Sequence, residues 1–170
     1  QAAQLDQVQR IPILPSLRAG ETLPEQDYAR PHALPQGGCP AAALTIREDG
    51  AAYGCCTPGA FGDFFRLGNV RETRLADIQR NFAGSSRHRL LRERGPAFVA
   101  QRIAERGLAG RLRSRYTSVC DLCTHIAADP ALAAVADDCA RDQDMQQLQQ
   151  IFGPSAETPA PRGQALTTGE

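Results

Sequence analysis

"ALTIREDGAAYGCC", residues 43–56, carries Asp49-Gly50 between two short runs of strand-compatible residues. That dipeptide is the strongest short-range signal for a tight β-hairpin, because the central residues of such turns need positive φ. A two-residue turn sets Glu48 opposite Ala51, Ile46 opposite Tyr53 and Leu44 opposite Cys55. Cys39 stands at the start of the first strand and Cys55 at the end of the second, so the hairpin returns Cys55 to the neighbourhood of Cys39 across fifteen intervening residues. Two thiols at the open end of a hairpin are half of a four-ligand site. Cys56 follows directly, and neighbouring strand side chains point to opposite faces. It is not expected to reach the same metal through the same face.

Downstream, "LGNVRETRLADIQRNF" (67–82) reads as a turn at Gly68-Asn69 followed by a short helix with Leu75, Ile78 and Phe82 inward. Ser85 or Ser86 can cap a second helix ending near Gly95. Pro96 opens a third, with Phe98, Val99 and Ile103 on its buried side and Gly107 at its end. These helices form a spacer leading to "TSVCDLCTHI" (117–126), where Cys120 and Cys123 make a CxxC pair with His125 just beyond. Residues 130–152 read as one helix, with Asp129 as N-cap and Pro130 at the first helical position. Leu132, Val135, Cys139, Leu148 and Phe152 share a face, and Gly153 ends the helix. The expected fold is α+β: a small hairpin and short helices around a four-cysteine metal site, then a C-terminal helix and a disordered tail. The hairpin alone is marginal in water, so metal binding is expected to supply much of the folding free energy.

The chain of 170 residues fits one domain with tails, and with no Trp and 5% aromatics its core must come from Leu, Ile, Val, Ala and a few Phe. All 19 basic residues are arginine, balanced by 19 acidic ones. The charge is uneven: residues 71–115 hold twelve Arg against Glu72, Asp77, Glu93 and Glu105. Such a stretch can attract an acidic partner, although arginines on the solvent faces of short helices are the plainer reading. Four segments follow: a linker-like 1–38 containing the apolar patch "IPILPSL" (11–17), a cysteine-bearing 39–125, a C-terminal helical segment 126–153, and a tail, 154–170, of disordered composition.

No apolar run reaches the roughly 18 residues of a membrane span, and no secretory signal is recognisable. Six cysteines without an export signal read as thiols in a cytoplasmic protein rather than as a disulfide framework. The chain starts at Gln1, as expected of a processed protein or a piece of a longer one. Four thiolates from two separated pairs suit either tetrahedral zinc or an iron–sulfur cluster. Zinc ribbons present two tight pairs, which the wide spacing of Cys39 and Cys55 does not match. His125 reads as a solvent or capping residue before it reads as a ligand, and Cys139 on an apolar helical stripe as a small buried hydrophobe. Cys56 is placed near the site without binding. Asp49 and Asp121 read as turn and loop residues, and Tyr53 and Tyr116 as shields of the cysteines against water. No catalytic triad, phosphate-binding loop or paired acid is recognisable.

Cys39, ten residues, Gly50, four residues and Cys55 resemble the opening motif of the SPASM or "twitch" auxiliary domain of radical S-adenosylmethionine enzymes. "LGNV" (67–70), the Leu75-x-x-Ile78 helix and "YTSVCDLC" (116–123) follow in the order of that family's shorter members. The resemblance covers about residues 39–125. It implies one auxiliary [4Fe–4S] cluster with Cys39, Cys55, Cys120 and Cys123 as ligands. The longer closing pattern of two-cluster members is not met, since position 129 is Asp and the next cysteine is Cys139. The CxxxCxxC motif that holds the radical-generating cluster is also missing from this sequence, so the chain by itself is not expected to cleave S-adenosylmethionine.

Three functions compete. The first is an auxiliary cluster domain serving a radical S-adenosylmethionine barrel in the same or another chain, with a peptide or protein as substrate. The second is a zinc-stapled, non-catalytic module using the arginine-rich helices to grip an acidic protein. The third is a small iron–sulfur electron carrier. Neither a membrane nor a nucleic acid is an expected partner.

Overall fold

The computed structural model describes residues 28–39, 43–57 and 62–153. The apolar patch 11–17 and the tail 154–170 lie outside these residues. The fold is α+β. Strands β1 (Thr45–Ile46), β2 (Ala51–Tyr53) and β3 (Arg66–Asn69) form an antiparallel sheet in the order β1-β2-β3. Helices α1 (Leu75–Gly84), α2 (Ser86–Glu93), α3 (Gly95–Glu105), α4 (Val119–Ala128) and α5 (Pro130–Phe152) follow.

The hairpin forms at Asp49-Gly50, but its register differs by one residue from a two-residue turn. Thr45, not Ile46, stands opposite Tyr53, and Ile46 stands opposite Ala52. The loop is three residues long. Gly50 N–H donates to Arg47 O and Arg47 N–H to Ala51 O, both at 2.9 Å. Asp49 Oδ1 accepts from Ala51 N–H at 2.9 Å, and Gly50 takes φ of +83°. A type I turn closed by a left-handed glycine is the usual three-residue solution, and here the aspartate's own side chain selects it.

Gly68 and Asn69 do not form the expected turn. They belong to β3, which pairs with β2 through Ala51–Asn69 and Ala52–Gly68, and the chain turns one step later. The third strand covers the free edge of β2, so all three β2 residues are buried. Ile78 of α1 packs over Gly68, whose φ of +141° suits glycine, and Ile78 is fully buried. Phe82 is half-buried, but Leu75, the first residue of α1, projects past the sheet and is 47% exposed, against expectation.

Ser85 caps α2 by accepting from His88 N–H, and Pro96 lies in the first turn of α3. Asp129 Oδ1 caps α5, accepting from Ala131 and Leu132 N–H at 2.9 and 3.4 Å. Helix α4 runs across position 125/126, and α4 and α5 meet at 105°. Leu90, Val99, Ile103, Tyr116, Leu122 and Leu132 are wholly buried where α2, α3, α4 and the first half of α5 converge. Each such apolar side chain contributes about 1.5–3 kcal/mol.

The expected apolar face of α5 is only half right. Leu132, Val135 and Cys139 are buried, whereas Leu148 and Phe152 are 49% and 80% exposed. Twenty-three residues make a helix about 35 Å long, which outruns the shorter helices it packs against. The arginine excess is largely neutralised within the fold. Arg87, Arg89, Arg106, Arg111 and Arg113 pair with Asp137, Asp144, Asp138, Asp129 and Asp121. Among the described residues no single helix is long and apolar enough to cross a membrane.

Candidate metal centre

Helix α4 presents Cys120 and Cys123. Ser118 Oγ caps it by accepting from Asp121 N–H at 3.2 Å, and Asp121 Oδ2 reaches back to accept from Thr117 N–H at 3.1 Å. Asp121 is therefore a helical, capping residue rather than a loop one. Residues three apart on a helix share a side, which turns a bare CxxC into two thiols facing the same way. The preceding segment is tied down as well. Ala29 and Tyr116 exchange backbone hydrogen bonds at 2.8 Å, Arg113 pairs with Asp121 at 2.5 Å, and the Tyr116 hydroxyl meets His125 Nδ1 at 2.7 Å.

Cys39 and Cys55 arrive on extended chain held by close backbone packing. Cys39 N–H donates to Leu91 O at 2.9 Å, near the end of α2. A Cβ on Gly38 would lie 1.8 Å from Arg92 O, so only glycine lets the chain pass the helix end this closely. Gly54, before Cys55, donates N–H to Phe65 O at 2.9 Å and lies against the His88 ring, where a Cβ would be 1.8 Å from Nε2. His88 is buried, and burial, with Arg87 adding to it, lowers its pKa to about 4. Its Nδ1 meets Ser85 Oγ at 2.8 Å, while Nε2 has no partner. A neutral ring with its proton on Nδ1 leaves only a lone pair facing Gly54.

Cys39, Cys55, Cys120 and Cys123 line one cavity. Phe65, Pro96 and Val119 supply its apolar walls, and Thr57 and Thr124 complete it. Thr57 touches both cysteine pairs: its N–H donates to Cys55 Sγ at 3.5 Å and its hydroxyl to Cys120 Sγ at 3.6 Å. Burial, then the neighbouring thiols of Cys55, Cys39 and Cys120, push the Cys123 thiol well above its ordinary pKa. Burial also raises Cys120, against the lowering effect of the Thr57 hydroxyl. Four thiolates cannot share this space without positive charge between them. The donor set, all sulfur inside apolar walls, suits a thiolate-ligated iron–sulfur group. Among the described residues, no three His, Cys, Asp or Glu side chains are gathered as for a single metal ion.

The other singled-out residues lie elsewhere. Cys56 is exposed and is not part of the cavity wall. Cys139 is a buried core residue of α5, as expected. His125 is engaged by Tyr116. Tyr53 and Tyr116 are buried, but the cavity is walled by Phe65, Pro96 and Val119 instead, which corrects their expected shielding role. Thr57 escaped sequence reasoning, although an N–H two residues after a cysteine is well placed to bond its sulfur. Nothing in the sequence marked Phe65 or Pro96 as a wall of the site, since the short 3-10 turn Asp63–Phe65 before β3 and the first turn of α3 bring them in.

No curated protein and no solved structure matches the chain. A family model for an iron–sulfur cluster-binding domain, SPASM, matches residues 39–124, from the first cavity cysteine to one residue past the last. The chain belongs to the SPASM family of iron–sulfur cluster-binding domains.

Proposed function

We propose that this chain is the auxiliary cluster domain of a radical S-adenosylmethionine enzyme acting on a peptide or protein, with one [4Fe–4S] cluster held by Cys39, Cys55, Cys120 and Cys123. The observation that carries this reading is the single cavity lined by those four cysteines, which come from three separate stretches of chain. Family membership supports an iron–sulfur group over zinc. Such a cluster supplies one-electron transfer at a potential set by its surroundings.

The protein's own part is to hold and shelter. Helix α4 sets two thiols side by side, and the segment bonded to Leu91 and the stretch just past β2 bring the other two. Phe65, Pro96 and Val119 keep bulk water from the sulfurs, which protects the site and raises the influence of nearby hydrogen bonds on it. The barrel that would generate the radical lies in the same or a partner chain. The internal pairing of five arginines with aspartates speaks against an arginine-rich face devoted to an acidic partner.

The test is anaerobic reconstitution with iron and sulfide counted per chain. The expected outcome is about four of each, the content of one such cluster. Cys39→Ala, Cys55→Ala, Cys120→Ala and Cys123→Ala should each lose most of it, and Cys139→Ala should keep it. Stoichiometric zinc with no sulfide would replace this reading with a zinc-stapled module.

A further inference from the structure

We propose that Thr57 is a positioning residue that joins the two halves of the cysteine site and raises the reduction potential of the cluster bound there. The inference rests on the cluster reading above. Its basis is that one residue donates to two sulfurs of different origin. The Thr57 N–H reaches Cys55 Sγ on the hairpin side at 3.5 Å, and the Thr57 hydroxyl reaches Cys120 Sγ on the helix side at 3.6 Å. Those positions are 63 apart for the hydroxyl contact, so the tie is tertiary. Both distances suit N–H and O–H donors to sulfur, whose radius exceeds that of oxygen.

Reduction adds negative charge to the cluster and its thiolates. A donor aimed at a thiolate stabilises the more negative state, so it moves the potential upward. The surroundings magnify this effect: Cys120 is buried, and apolar residues wall the cavity. Thr57 also stands between the last residues of the hairpin segment and the head of α4. A side chain in that place aligns two ligands that the backbone delivers independently.

Two variants separate the hydroxyl from the fold. Thr57→Val keeps the branched shape and the backbone N–H but removes the hydroxyl donor. Thr57→Ser keeps the donor and removes a methyl group. Reconstituted wild-type protein and both variants are compared for iron and sulfide content, for midpoint potential by anaerobic reductive titration, and for the iron–thiolate stretching bands in resonance Raman spectra. Thr57→Val is expected to hold its iron, with a potential more negative than wild type. At a fixed solution potential its reduced-to-oxidised ratio should fall about threefold to tenfold, the effect of one net hydrogen bond. The iron–thiolate bands should shift upward as the sulfur loses its donor, and Thr57→Ser should match wild type in both readouts. Full iron content in Thr57→Val with unchanged potential and bands overturns the proposal. Equal shifts in Thr57→Val and Thr57→Ser also overturn it, because the methyl group would then be the cause. Wild-type protein that takes up no iron and sulfide refutes the cluster reading itself, a result distinct from either of these.

Discussion

Cys120 and Cys123 sit one turn apart on α4, held by the helix's own hydrogen bonds, the Ser118 cap and the Asp121 return contact. Cys39 and Cys55 are carried on extended chain whose positions depend on contacts with other elements: Leu91 O for Cys39, and Phe65 O and the His88 ring beside Gly54 for Cys55. One half of the site is thus built by local structure, the other by tertiary packing. The difference teaches where the metal does its work. A helix presents its pair whether or not a metal is bound, whereas the hairpin half gains most from a group that draws its thiols to a shared centre.

Removing the metal from the folded protein is therefore the strongest way to separate the halves. Chelation after reduction should lower the melting temperature by about 10 °C or more, since a site not preformed in the unfolded chain couples binding to folding. Amide-exchange protection should fall around residues 38–39 and 51–55 well before it falls in α4. An unchanged melting temperature after verified metal loss, or equal loss of protection in both halves, breaks the comparison.

The next largest effect belongs to Gly38→Ala. A Cβ 1.8 Å from Arg92 O forces the backbone apart, and the expected loss is about 3 kcal/mol in a chemical unfolding titration, together with reduced iron content. Gly62→Ala is the control, because nothing lies within 4 Å of its added Cβ. Equal stability of the two variants would show that Cys39 is not held by the close passage over α2.

Acid should act through His88. Its pKa is about 4 in the folded protein and 6.5 in the unfolded chain, so the unfolded state binds the proton more readily. Stability from this group is complete above pH 6.5 and declines as pH falls towards 4, by up to about 2–3 kcal/mol. Urea midpoints followed across that window should show the decline, and His88→Gln should flatten it. A slope unchanged in the variant would assign the acid sensitivity to other groups.

The smallest expected effect is on the helix half. Ser118→Ala removes the cap of α4 and should cost about 1 kcal/mol with near-normal iron content, because the helix's remaining bonds still align its two cysteines. Loss of the metal in this variant would mean that the helix half is no better preorganised than the hairpin half.

What could be read from sequence follows the same division. The hairpin at Asp49-Gly50, the caps at Ser85 and Asp129, the Pro96 start of α3 and the extent of α5 are all local: a turn residue, a cap or an apolar period acts over a few positions. The four cavity cysteines and the family resemblance were legible for a similar reason, since thiols at motif spacings stand out in any context. The limits appear where an outcome depends on residues distant in sequence. The hairpin register is the one local miss: it changed by one because the Asp49 side chain, bonding Ala51 N–H two residues on, favours a three-residue loop. Gly68-Asn69 became strand because the edge of β2 needed a partner. Leu148 and Phe152 stayed exposed because α5 is longer than the helices beneath it.

By itself, then, the sequence determined most of the helices, though not α4, the place of the hairpin and which cysteines stand at motif spacings, all consequences of short-range sterics and hydrogen bonding. Only the tertiary structure decided that Cys39 and Cys55 meet Cys120 and Cys123 at one cavity, that Phe65, Pro96 and Val119 wall it, and that Thr57 reaches sulfurs on both sides. It also decided that the arginine-rich stretch spends much of its charge on aspartates of α4 and α5 and the junction between them. Each of these depends on side chains far apart in the chain being packed into contact, and no local pattern of residues encodes which distant partner a surface will meet.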